Sequence, residues 1–235
     1  MRARIAEKHE VAEGTLFVVF DVPDEVDFIP GQYFWVELPD RGLSDERGLR
    51  RHFSVCTSPT EGGVLGLATR LRDTAFKQTL AALDAGDEVD VEPPKGDFHL
   101  PDEEGGPYAF VAGGIGITVF RCMLRCIADR GLAHRVTLVY SNRDRSSSAF
   151  LDELSELEER IPGLRVVLTM TDDPEWEGET RLVDEAMLRD VLGEEFEQTT
   201  FLVAGPPGMV DGVVETLEGA GLPEEQILPD HFSGY

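Results

Sequence analysis

The chain has 235 residues, 41% of them apolar, which gives room for one large domain or two of ordinary size with packed cores. A formal net charge of -25 counts against nucleic acid or an anionic membrane surface as partner, because both repel such a surface. No run of about eighteen apolar residues is present to span a bilayer, and Met1-Arg2-Ala3-Arg4 leads straight into strand-like sequence without the apolar stretch of a signal peptide, so cytoplasmic residence is the default expectation.

From residue 1 to about 100 the pattern is of short alternating strands broken by Gly, Pro and Asp, as in Thr15 to Phe20 and Tyr33 to Leu38. Strands at this spacing predict an antiparallel β-barrel. One helical interruption is expected from Thr74 to Leu83, with Phe76, Leu80 and Leu83 at helical spacing and Asp73 placed to cap it. A Gly/Pro/acid-rich connector, Pro101 to Pro107, follows, and then the rhythm changes. Strands predicted at Tyr108 to Ala112, Val136 to Tyr140, Arg165 to Met170 and Thr200 to Ala204 alternate with helices at Val119 to Asp129, Ser148 to Glu159, Leu182 to Leu192 and Met209 to Ala220. That alternation is the pattern of a Rossmann-like parallel sheet wrapped by helices. The expected organisation is therefore two domains, residues 1–102 and 107–235.

Three cysteines, Cys56, Cys122 and Cys126, lack the spacing of a disulfide framework or a zinc site, and they are too few for the usual iron–sulfur ligand set. They are expected to be ordinary buried thiols. Of the 21 basic residues only Lys8, Lys77 and Lys95 are lysine. An acidic surface nearly stripped of lysine resembles that of proteins from salt-loving microbes, haloarchaea among them, where concentrated salt screens the self-repulsion. The rival explanation, an acidic docking face for a basic partner, fits less well because the acids are spread along the chain.

Three short motifs carry chemistry. Arg51-His52-Phe53-Ser54 offers a cation, an aromatic ring and a hydroxyl within four residues, enough to hold a pyrophosphate, face a flavin ring and hydrogen-bond its edge. His52 alternates with Arg51 and Phe53 along the strand, so it is expected to point the other way. Gly113-Gly114-Ile115-Gly116-Ile117-Thr118 sits between an apolar strand and a helix, where bare N–H groups and the helix dipole can receive phosphate, although the third glycine of the dinucleotide fingerprint is missing. Ala204-Gly205-Pro206-Pro207-Gly208-Met209 ends the fourth of these strands. The tail, Pro229 to Tyr235, would ordinarily be a frayed terminus, but two aromatics in its last four residues point to a role.

These motifs, with Gly31-Gln32-Tyr33, Asp73 to Lys77, Pro94 to Phe98 and the terminal Phe232-Ser233-Gly234-Tyr235, resemble the ferredoxin–NADP reductase family over nearly the whole chain. The resemblance implies an N-terminal antiparallel β-barrel FAD domain and a C-terminal α/β NAD(P) domain. It implies that Arg51 binds the FAD pyrophosphate, that Phe53 lies along the flavin, and that Ser54 bonds the ring near the atom that accepts hydride. The backbone of Leu67 to Arg70, including Ala68 and Thr69, and the Thr74 hydroxyl would hold the rest of the cofactor. Gly113, Gly114, Gly116 and Thr118 match the family's turn for the NAD(P) pyrophosphate, with Val119 where members carry proline. Ser141, Arg143 and Arg145 would lie near the adenosine ribose. Arginines there favour a 2′-phosphate and Asp144 a free hydroxyl, which leaves NADP and NAD both open with a lean to NADPH. Gly205, Pro206 and Met209 match the loop beside the nicotinamide, where Ala204 replaces the cysteine of many members. Phe232, ahead of Tyr235 with its terminal carboxylate, would shield the flavin face that nicotinamide must occupy. The implied activity is hydride transfer between NAD(P)H and FAD, with electrons passing to or from ferredoxin or flavodoxin. The rivals are the reductase component of an oxygenase system and a nucleotide-binding subunit without catalysis of its own.

Overall fold

The computed structural model describes residues 1–102 and 104–232. In the first half, β1 (Arg2–Ala12), β2 (Thr15–Asp21), β3 (Tyr33–Glu37), β4 (Arg50–Ser54), β5 (Val64–Arg70) and β6 (Glu88–Val91) form one antiparallel sheet in the order β4-β3-β6-β1-β2-β5. Just beyond β4 the two edges of that sheet meet. The Cys56 N–H donates to the Gly66 carbonyl at 2.8 Å, and the Gly66 N–H donates to Thr57 Oγ1 at 2.9 Å. The sheet thereby curls around a dry interior of Ile5, Val18, Phe20, Phe34, Val36 and Leu67. One end is plugged by α1 (Ala75–Ala82), whose Phe76 and Leu80 are buried together with Leu83, as their spacing predicted.

The cap of α1 differs from expectation. Thr74 has the extended backbone a cap requires and its Oγ1 accepts from the Lys77 N–H at 3.4 Å, whereas Asp73, one residue too early, turns to the Gln78 side chain.

The second half holds β7 (Tyr108–Gly113), α2 (Ile117–Arg130), β8 (Val136–Asn142), α3 (Leu151–Arg160), β9 (Leu164–Met170), α4 (Glu185–Leu192), β10 (Thr200–Gly205), α5 (Pro207–Gly219) and β11 (Ile227–His231). Its sheet is wholly parallel, ordered β11-β10-β7-β8-β9. Two helices start later than predicted for local reasons. Ser147 and Ser148 are bound into a turn around Asp144, whose Oδ1 accepts from the Ser147 N–H and whose carbonyl accepts from Ser148 Oγ, so α3 starts only at Leu151. Asp184 caps α4 by accepting from the Met187 N–H at 2.8 Å. The strand β11 was not predicted. Pro229 masks it, yet proline is tolerated on an edge strand, where its missing N–H costs no ladder bond on the open side.

The two sheets share one apolar core, in which Phe17, Cys56 and Ala68 pack with Phe120, Leu124 and Phe150, while Cys122 of α2 enters the barrel core. All three cysteines are buried, and burial pushes the Cys56 thiol up to about 12. At the junction lies Arg121, its side chain 8% exposed. Nη1 donates to the Cys56 carbonyl at 2.7 Å and Nε to Glu153 at 2.7 Å, with the guanidinium between the rings of Phe17 at 5.2 Å and Phe150 at 5.0 Å. Glu61, from the loop before β5, approaches at 3.9 Å.

Replacing Arg121 by methionine leaves the Cys56 carbonyl without its donor and Glu153 with Arg125 alone, at 2.9 Å. R121M is expected to lose about 1–3 kcal/mol of stability, read by equilibrium urea unfolding in molar salt. R121K should recover only part of it, because an ammonium cannot serve both acceptors in a fork.

Candidate functional site

Where β4, β5 and α1 face the end of β11, a cavity of about 250 Å³ opens. The barrel side contributes Arg51, Phe53 and Ser54 from β4, Ala68 and Thr69 from β5, and Thr74 at the start of α1. The parallel-sheet side contributes Thr118, Asp230 and Phe232. Alternation along β4 produces this wall. Arg51 and Phe53 turn to one face, Phe53 meeting Phe76 at 5.5 Å, while His52 packs on the other face against Trp35 at 4.9 Å and Tyr33 at 5.4 Å. His52 thus points away from Phe53 as expected, although its edge reaches the cavity rim.

Arg51 is held before any ligand arrives. Its Nη1 donates to the carbonyls of Arg47, Gly48 and Arg50 at 2.7, 3.0 and 2.8 Å. Its Nη2 is buried with no hydrogen-bond partner, and the guanidinium lies 5.7 Å from the Phe76 ring. A planar cation with a buried donor unsatisfied, beside the N-terminus of α1, fits the diphosphate of a dinucleotide cofactor. Lys77, buried one turn into α1, adds charge to the same wall. Burial, then Arg72 and Arg51, bring its ammonium down to about 8.

A second cluster forms at the carboxyl ends of the parallel strands. β7 continues through α2 to β8 on one side, whereas β10 returns to the other side of β7, so the β7/β10 crevice is the switch point where ligands bind in open α/β sheets. Close contact there requires glycine at one position and leaves little room for a Cβ at two others. A Cβ on Gly116 would lie 2.1 Å from the Ala204 carbonyl oxygen, one on Gly205 3.0 Å from the Gly113 oxygen, and one on Gly113 3.0 Å from Met209 and 3.3 Å from Pro206. Gly114 turns with a φ of 53°. The structure therefore brings Gly113, Gly114, Gly116, Gly205, Pro206 and Met209 together. Thr118 sits behind them, its hydroxyl donating to the Ile115 carbonyl at 3.0 Å, so its proton is engaged within the turn.

Ser141 lies in register with Gly113 at the end of β8, outside the cavity with Arg51. Arg145 is drawn to the end of β9, where Nε donates to Asp173 at 3.1 Å and the guanidinium lies 5.9 Å from the Trp176 ring. The Arg143 side chain is exposed, and its carbonyl accepts from the Asp172 N–H at 2.7 Å. Phe232 is anchored by its N–H to the Gly205 carbonyl at 2.9 Å, which delivers its ring to the cavity. Tyr235 lies outside the described residues.

Asp230 was missed in the sequence. It lines the cavity beside Phe232, and burial pushes its carboxyl up to about 6, with His231 opposing. The available signal was an acid two residues before the tail aromatic. Among the described residues no cluster of His, Cys, Asp or Glu could hold a metal, and no helix is long and apolar enough to cross a membrane.

Residues 2–100 match the oxidoreductase FAD-binding domain and residues 110–215 the oxidoreductase NAD-binding domain. The chain is 31% identical over 214 residues to the reductase component DmpP of a Pseudomonas phenol 2-monooxygenase, covering 87% of this chain and 58% of that protein. A cytochrome P450 reductase of Amycolatopsis superposes with a TM-score of 0.84 at 26% identity, over 99% of this chain and 70% of that one. The flavohem-like FAD/NAD binding domain of a Vibrio cholerae nitric oxide dioxygenase shares the fold, with a TM-score of 0.85 at 21% identity and 98% of both chains covered. The chain spans about three fifths of the length of the curated relatives it matches first. With both domain matches in sequence and the fold in common, the chain is an oxidoreductase FAD-binding domain followed by an oxidoreductase NAD-binding domain, in the manner of ferredoxin–NADP reductases.

Proposed function

We propose that the chain oxidises NAD(P)H by way of FAD and passes the electrons to a protein carrier, ferredoxin or flavodoxin, with residues 1–102 as the flavin domain and 107–235 as the nucleotide domain. The observation that carries this reading is the cavity in which Arg51, Phe53 and Ser54 of one sheet face Asp230 of the other and Phe232 just past its edge strand. FAD, when bound, supplies a ring that takes up hydride and releases electrons stepwise. The protein's part is alignment and electrostatics. Arg51, Thr74 and the first turn of α1 hold the diphosphate, the backbone of Ala68 and Thr69 carries the middle of the cofactor, and Phe53 and Ser54 fix the ring. Gly113, Gly114 and Gly116 admit the nicotinamide nucleotide's phosphates, with Thr118 shaping the turn, while Gly205, Pro206 and Met209 border its nicotinamide. Ser141 and Arg143 receive the adenosine ribose. Arg145 is already held by Asp173, so recognition of a 2′-phosphate rests mainly on Arg143. Phe232 would cover the flavin face until nicotinamide displaces it.

A more specific reading, the reductase component of an oxygenase system, is favoured by the relatives that are named as such. The charge of -25 with three lysines we read as adaptation to concentrated salt, so assays belong in molar salt.

The first test is spectroscopic. The purified protein should carry a band at about 450 nm, as flavins do, that bleaches anaerobically on adding NADPH or NADH; a protein that takes up no FAD would overturn the reading in favour of a nucleotide-binding subunit. S54A should slow that bleaching by about tenfold to a hundredfold in stopped flow while leaving FAD bound.

Asp230 gives a pH test. Positive charge develops on a nicotinamide ring as hydride leaves, and a carboxylate in the cavity favours it. Because the carboxyl is pushed up to about 6, bleaching should accelerate as pH rises through that value, and D230N should be slower and flat there. Stability should move in the opposite sense. The folded state holds this proton more tightly than the unfolded one, so the wild type should lose stability relative to D230N between about pH 4 and 6.

A further inference from the structure

We propose that Asp45 is a built-in anion engaging the donors at the diphosphate end of the cofactor cavity, the Ala75 N–H and Arg51, and that it competes with FAD for them. The inference rests on the flavoprotein reading above and adds a residue from the loop between β3 and β4. That loop is fastened at its base by the Leu38 N–H donating to the Leu49 carbonyl at 3.0 Å, while residues 41–47 are exposed. From it, Asp45 reaches the start of α1. One carboxylate oxygen, Oδ2, accepts from the Ala75 N–H, the first of the helix, at 2.9 Å. The other, Oδ1, accepts from the Arg47 N–H at 2.9 Å and lies 3.7 Å from Arg51 Nη2.

A helix-first N–H and a guanidinium are the donors a phosphate oxygen takes, and a carboxylate competes for them by the same chemistry. The competition is uneven. Arg51 Nη2 has only an ion-pair contact with Asp45 and no hydrogen bond, although it is buried, so the carboxylate satisfies this donor incompletely. A diphosphate also meets Lys77, Arg47 and Thr74, which line the same wall. The Asp45 carboxyl is held below the usual carboxylate range, first by the Ala75 N–H, so it is charged whenever the site is probed near neutrality. Once FAD is in place, Asp45 either swings out with its exposed loop or repels the incoming phosphates. Both routes subtract from FAD affinity and leave the flavin ring's own contacts untouched.

The experiment compares wild type, D45N and D45A in molar salt by equilibrium dialysis and by quenching of flavin fluorescence, with FAD and with riboflavin, which has no phosphate. D45N keeps the acceptor for the Ala75 N–H and removes the charge, and thermal unfolding of each variant checks that α1 stays folded. The expected result is FAD bound about five- to tenfold more tightly by D45N, with riboflavin unchanged. FAD affinity that is unchanged or weaker in both variants would show that Asp45 merely positions Arg51, and equal tightening of riboflavin would show a general effect on the cavity; either overturns the proposal alone. If neither wild type nor variants take any FAD, the flavoprotein reading falls and this inference falls with it.

Discussion

The Arg121 guanidinium fixes how the two sheets face each other. It bonds to the barrel through the Cys56 carbonyl and to the second half through Glu153, while Phe17 and Phe150, one from each half, flank its faces. A cation this deeply buried is tolerated only if its donors are met, so the halves cannot rotate far apart without stranding it. The candidate site depends on that constraint. Ser54 and Phe53 belong to one sheet, Asp230 to the other with Phe232 just past its edge strand, and the cavity between them exists only in this relative orientation. Glu61 extends the lock, because it lies 3.7 Å from Arg125 as well as 3.9 Å from Arg121.

Within the parallel sheet a tighter tolerance governs. The loops after β7 and β10 approach so closely that Gly116 is dictated by the Ala204 backbone, while Gly113 and Gly205 leave little room for a Cβ. Gly205 also accepts from the Phe232 N–H, so the same loop that borders the nucleotide crevice sets the position of the tail aromatic.

What was legible in the sequence was local. Phe76, Leu80 and Leu83 announce α1 by spacing alone, and the glycine turn announces a strand-to-helix corner because no other residue fits one. The fold class and the grouping of Arg51, Phe53, Ser54 and Phe232 followed from motifs in order along the chain. What was illegible depended on distant partners. β11 is a strand because β10 offers it an edge, not because Ile227 to His231 alternates. Arg145 is withdrawn toward Asp173, a contact spanning two elements that no reading of residues 140–145 contains. Lys77 and Asp230 owe their shifted protonation to burial that only the closed cavity provides.

Charge distribution ties these points together. The chain carries -25 overall, yet Arg47, Arg51 and Lys77 converge on one cavity wall with Arg72 nearby. In dilute buffer the surrounding acids would repel an anionic dinucleotide before it reached that pit. In concentrated salt the Debye length falls to about 3 Å, so the surface field dies within a contact distance while donors inside the cavity, shielded from ions, keep their strength. The acidic exterior then costs little in association rate, and selectivity passes to the pocket itself. Under those conditions a single carboxylate in direct contact with the cavity's donors, as Asp45 is with the Ala75 N–H, weighs more on ligand affinity than the many acids beyond contact distance.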